Sequence, residues 1–188
     1  MRRSTGFALT IDLPSPEYIA AHRRFTSLGP KIESVPQILD LIAELPLLRK
    51  SFRDEYVVLG PRGPITWVGH ESLSWALGES IRQALRRGRT LRGDPVLWRA
   101  LETVATERTV GKGRQPFVML LGQYGGGDRS EVLLRLLDDP EVVGHALYAL
   151  RLLALPGAEA KARELEKSGH TWIRNEARKY LKKMAPPA

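Results

Sequence analysis

The chain has 188 residues, 43% hydrophobic and 27% charged, with 17 Gly and 13 Pro, a globular composition that excludes wholesale disorder and allows one sizeable core. It contains no cysteine, which excludes disulfides, thiolate metal sites and a cysteine nucleophile, and makes a reducing compartment, the cytoplasm, the expectation. The net charge of +8 is uneven: residues 82–114 carry nine basic and three acidic side chains, 115–160 three and six, and 161–188 eight and three, so acidic surfaces and polyanions are the partners to consider.

In chain order, Arg2 and Arg3 precede an apolar run that Asp12 ends. That run is too short for a signal h-region, and no stretch approaches the ~20 apolar residues of a membrane span. Phe7, Leu9, Ile11 and Leu13 alternate with Ala8, Thr10 and Asp12, which predicts a short half-buried strand. Ser15-Pro16-Glu17 reads as an N-cap, a proline in the first turn and an early acid. The helix it starts should bury Tyr18, His22, Phe25 and Leu28 and stop at Gly29-Pro30. A second helix should run from Pro36 and be interrupted at Pro46, with another turn or two up to Arg53. Residues 55–59 and 64–68 read as two β-rich segments around Gly60-Pro61-Arg62-Gly63, the prolines restricting the second to an edge.

From His70 the helical period dominates. Leu73, Ala76, Leu77, Ile81 and Leu85 mark one face of a helix ending near Gly88, and Asp94-Pro95 opens the next, with Leu97, Trp98, Leu101 and Val104 inward. Helices are predicted over 114–124, 129–137, 140–155, 158–167 and 171–184. Gly125-Gly126-Gly127, Asp138-Asp139, Pro156-Gly157 and Ser168-Gly169 supply the breaks. Connections this short make neighbouring helices antiparallel.

An offset of about 30 residues places Lys112, Pro116, Met119 and Leu120 on Val142, Ala146, Ala149 and Leu150, and these on Ile173, Ala177, Tyr180 and Leu181. Ala76-Leu77-Gly78 matches Leu120-Leu121-Gly122 as an earlier, divergent unit. The second helices follow the same period, with Leu134 on Leu165. Residues 171–184 carry one apolar stripe and otherwise Arg174, Arg178, Lys179, Lys182 and Lys183, as a capping helix requires. Over roughly residues 94–184 the pattern resembles the bacterial HEAT-like repeats, carried by Asp139-Pro140-Glu141-Val142, Ala146-Leu147-Tyr148-Ala149-Leu150 and the final Trp172-to-Leu181 helix. It departs at Pro116, where that family favours a small residue. The resemblance implies a solenoid whose second helices line a concave side, mostly used to bind proteins. Some members are DNA glycosylases, whose catalytic carboxylate has no counterpart to be placed here.

The search for chemistry returns mostly structural readings. Thr109-Val110-Gly111-Lys112-Gly113-Arg114 fails as a phosphate loop, with Gly113 where Ser or Thr is needed and Thr106 at the earlier glycine, so it reads as an interhelix turn. Gly125-Gly126-Gly127 reads as a helix terminator. His22, His70, His145 and His170 lack the i, i+4 spacing of a metal site; His70 and His170 fit helix starts as caps. Asp138-Asp139 reads as a helix end and a cap, Trp67, Trp75, Trp98 and Trp172 as core, and no hydrolytic triad can be assembled. The basic residues remain, led by Arg82, Arg86 and Arg89 at helical spacings of four and three.

The sequence therefore predicts an all-α fold, a HEAT-like helical-repeat solenoid with a divergent N-terminal helical region and a small β-hairpin. Residues 1–69 form the divergent region and 70–188 the repeat domain, packed as one unit. The expected function is a non-catalytic scaffold that recognises a protein partner through the solenoid surface, with nucleic-acid binding as the alternative and an enzyme on the same repeat as the third reading. The candidate surface comprises Arg82, Arg86, Arg89, Arg92, Arg99, Arg108, Lys112, Arg114, Arg135, Lys161 and Lys167. No catalytic residue, cofactor, metal or membrane is expected.

Overall fold

The computed structural model describes residues 14–54, 56–59, 65–125 and 129–185. The expected strand over residues 7–13 lies outside them, as does the glycine break apart from Gly125.

Local chemistry accounts for the first elements. The Ser15 hydroxyl accepts from the Tyr18 backbone N–H at 3.1 Å and starts α1 (Pro16–Thr26), whose buried residues are Tyr18 and Phe25. Two long-range bonds fix α1 to the later helix α4 (Gly69–Arg87): the Tyr18 hydroxyl donates to Ser72 Oγ at 2.9 Å, and Ser80 Oγ donates to the Phe25 carbonyl at 2.5 Å. Gln37 Oε1 accepts from the backbone N–H groups of Glu33 and Ser34, ordering the start of α2 (Val35–Ala43). Pro46 then sits in the first turn of α3 (Leu45–Phe52), where its missing N–H costs no intrahelical bond. Strands β1 (Tyr56–Leu59) and β2 (Ile65–Val68) pair antiparallel, Tyr56 opposite Val68 and Leu59 opposite Ile65. The hairpin is therefore present within a residue of its expected bounds.

The rest is an all-α helical-repeat solenoid. First helices α4, α6 (Gln115–Gln123), α8 (Val143–Leu153) and α10 (Thr171–Met184) stack in that order. Second helices α5 (Pro95–Thr106), α7 (Ser130–Arg135) and α9 (Glu159–Leu165) each pack on the first helix that follows. Glycine permits the close approaches in the stack: a Cβ on Gly78 would lie 2.7 Å from Pro116 Cβ, and one on Gly122 would lie 2.4 Å from Ala149 Cα. The departure at Pro116 has the same origin. Because α6 begins at Gln115, Pro116 occupies its first turn, and its ring fills the space Gly78 leaves. Its counterparts Ala146 and Ala177 lie deeper in their helices, where an N–H is required. One hydrophobic core runs from Tyr18 to Tyr180, with α1 on α4 and α2 on α5.

Some boundaries and burials differ from the sequence reading. The helix expected from Pro140 begins at Val143, because the Asp139 carbonyl accepts from both Val142 and Val143 and closes a turn first. Residues 129–137 divide into α7 and a 3₁₀ turn, Leu136–Asp138. Trp98 is buried, but Trp75 is 40% exposed and Trp172 42% exposed. Trp75 falls on the outer stripe of α4, while Trp172, in the first turn of α10, is packed on one face only, 4.6 Å from the His145 ring. Neither His70 nor His170 caps a helix through its side chain. Helix α10 buries Glu176, Ala177 and Tyr180 and leaves Arg178, Lys179, Lys182 and Lys183 exposed, the one-sided pattern its sequence implies.

Burial in this stack lowers the His145 pKa from 6.5 to about 4. The unfolded chain thus takes up a proton that the folded chain resists. Stability is fully present above pH 6.5 and falls by roughly 2–3 kcal/mol as pH drops through that window to about 4. Urea midpoints at pH 7 and pH 4.5 are expected to fall less in His145→Phe than in the wild type; an equal fall in both contradicts the buried neutral imidazole.

Candidate basic groove

Residues of the consecutive second helices α5 and α7 and of the turns beside them line two arginine-rich clefts. The first cleft, about 350 Å³, is lined by Arg92, Pro95, Trp98, Arg99 and Arg129. The Trp98 indole N–H donates to the Arg92 carbonyl at 2.7 Å, fixing the ring. Arg92 lies 4.3 Å over the Tyr124 ring and donates to the Leu85 and Arg86 carbonyls. These belong to the last turn of α4, where a cation offsets the negative end of the helix. Arg129 pairs with Glu102 and lies 5.4 Å over Trp98, its Nε buried without a partner. Burial pulls this guanidinium below its ordinary pKa, so its charge is poorly solvated. Arg99 is exposed beside it.

The second cleft, about 280 Å³, is lined by Thr106, Arg108, Arg114, Arg135, Leu136 and Asp139. Arg108 is 77% exposed with its Nε 3.4 Å from Asp139 Oδ2, and Arg135 is 66% exposed with Glu131 3.9 Å away. Seven residues of α5 separate Arg99 from Thr106 and six of α7 separate Arg129 from Arg135. At 1.5 Å per residue the clefts are thus roughly 10 Å apart.

The other basic candidates disperse. Arg114 is not a surface residue: it is 1% exposed, with Nη2 2.6 Å from Asp139 Oδ2 and 3.1 Å from Glu141 Oε2, and it donates to the Gly111 and Ala105 carbonyls. It joins the turn after α5 to the start of α8, and its burial corrects its place in the candidate surface. Asp139 also accepts from the Glu141 N–H at 3.1 Å, which closes the turn ahead of α8; it does not cap the helix as expected, because α8 starts later and its N-cap is Val142. Arg82 is half-buried against Glu79, at 2.6 Å. Arg86 is exposed on α4, but Arg89 does not share its face, because Gly88 ends the helix and Arg89 starts a 3₁₀ turn, Thr90–Gly93. Lys161 pairs with Glu164 on α9, and Lys167 is exposed beyond it; neither lines an α5–α7 cleft.

Lys112 lies on the far side of its turn. There Gly111 adopts φ 59° and the Lys112 backbone N–H donates to Glu71 Oε1 at 3.2 Å. The chain's own carboxylate occupies the position a phosphate would take, so the glycine-rich segment is an interhelix turn. Arg129 was missed by the sequence reading. Its signal was there only in part: Arg99 and Arg129 are 30 residues apart, one repeat period, although Arg99 lies within α5 and Arg129 immediately before α7.

Among the described residues no group of three or more His, Cys, Asp or Glu is arranged to hold a metal, and no helix is long and apolar enough to cross a membrane. No protein-family profile and no curated protein sequence matches the chain. Among solved structures it is similar to a designed armadillo repeat protein, with a TM-score of 0.37 and 16% identity, over 93% of this chain and 96% of that one.

Proposed function

We propose that the chain is a non-catalytic binding module, a HEAT-like solenoid in the cytoplasm whose α5–α7 groove receives an extended acidic segment of a protein partner. Two helices per unit favour HEAT over the three-helix armadillo repeat, although the period of about 30 residues is shorter than either usually has. The absence of cysteine favours a reducing compartment. The observation that carries the binding reading is the pair of clefts roughly 10 Å apart. A peptide in the polyproline II conformation advances about 3.1 Å per residue and returns to the same face every three residues, so acidic side chains three residues apart reach both. Arg99, Arg108 and Arg135 are exposed for carboxylate contact, in the planar geometry that suits it.

Nucleic acid is the second reading, favoured by the same arginines. Glu102 and Asp139 within the groove and the covering of Trp98 by Arg129 weigh against it, since single strands bind best where an aromatic face is open.

Affinity capture under mild crosslinking is expected to recover a stoichiometric acidic protein with the wild type. The double variant Arg99→Glu, Arg135→Glu should bind that partner at least about tenfold less, roughly 1.4 kcal/mol. Capture that is unchanged by the reversal contradicts the groove. Duplex and single-stranded DNA and RNA should not shift at ~50 mM salt, where phosphate contacts are strong; a shift lost in the same variant establishes the second reading.

A further inference from the structure

A separate cleft of about 380 Å³ lies where the N-terminal helices meet the repeats, between α3, the start of α4 and the turn after α5. Buried Leu45, Val104 and Val110 line it, and exposed Arg49 and Glu107 stand at its rim. The two rim charges are not equivalent. Glu107 already accepts from the Thr109 backbone N–H at 3.0 Å, and this bonding holds its carboxyl below the ordinary range. Arg49 has no hydrogen bond or ion pair among the described residues and is the open polar group. Half-buried His70 borders the same space with its Nδ1 unpartnered, and burial, the largest influence, holds its imidazole below the ordinary pKa. A cleft of this volume with an apolar floor and a few polar groups is the usual form of a small-molecule site.

We propose that this cleft binds a small amphipathic carboxylic acid, its carboxylate on Arg49 and its apolar chain against Leu45, Val104 and Val110. The site is independent of the α5–α7 groove. A positively charged ligand head would meet Arg49 unfavourably, and a wholly apolar one would leave that guanidinium without a partner.

Methyl-resolved NMR with octanoate as the probe tests the assignment, with octan-1-ol and octylamine as controls of equal chain length. Octanoate is expected to give saturable shifts confined to the Leu45, Val104 and Val110 methyls and the His70 ring. Its affinity should exceed that of either control by about tenfold and fall by about tenfold in Arg49→Gln. Arg49 is exposed, so that variant should retain the wild-type spectrum elsewhere. Equal binding of the alcohol or the amine, unchanged affinity in Arg49→Gln, shifts scattered over the surface, or no saturable shift overturns the proposal.

Discussion

Replacing Arg114 with alanine is expected to destabilise the fold by about 3–5 kcal/mol, the effect of removing one member of a buried ion pair. The guanidinium is 1% exposed and serves Asp139, Glu141 and the carbonyls of Gly111 and Ala105. Among the described residues, alanine leaves the buried Asp139 carboxylate with only Arg108 at 3.4 Å and the Glu141 N–H at 3.1 Å. Arg114→Met combined with Asp139→Asn should recover part of the loss, because the uncompensated charge is removed with its partner. Lys112→Ala, two residues away on the exposed side of the same turn, should stay within about 0.5 kcal/mol. Urea melts of the four proteins check this, and an Arg114→Ala midpoint equal to that of Lys112→Ala would return Arg114 to the surface.

Leu150→Ala is expected to cost roughly 2–5 kcal/mol as a core truncation. Leu150 is fully buried on α8, the helix held between α6 and α10. Its counterpart Leu120 is equally buried, while Leu181 on α10 is only partly so. Leu181→Ala should therefore cost less, since the transfer and cavity contributions both scale with burial. An unchanged urea midpoint in Leu150→Ala would remove α8 from the centre of the stack.

Much of the fold was legible because it is written locally. Ser15, Pro46, Gly88 and Asp94 mark starts and stops through their own backbone chemistry, and the 30-residue register follows from apolar positions such as Leu120 and Leu150. The errors arise where a residue's fate depends on a distant partner. Periodicity reports which side chains are apolar, not which cations are buried, so Arg114 read as surface until Asp139 and Glu141 closed on it. Trp75 and Trp172 read as core because each falls where an apolar helix residue is expected, though both are exposed in part. The groove was half visible. Arg99, Arg108 and Arg135 were identified by charge, but charge counting could not separate them from Arg82 and Lys161, which line neither cleft. Their grouping follows from the two clefts, which bring residues of α5 and its flanking turns together with Arg129 and Arg135, a tertiary relation.

On the proposed reading, partners enter between α5 and α7 and not over the exposed tryptophans of the first helices. Trp75 on α4 and Trp172 on α10 offer apolar area away from the two clefts, so they compete directly with them. Photo-crosslinking amino acids placed singly at Arg99, Arg135, Trp75 and Trp172 would distinguish them in the native lysate. Positions 99 and 135 are expected to capture the same acidic protein while positions 75 and 172 do not. Capture of a stoichiometric partner from 75 or 172, with none from 99 or 135, would contradict it.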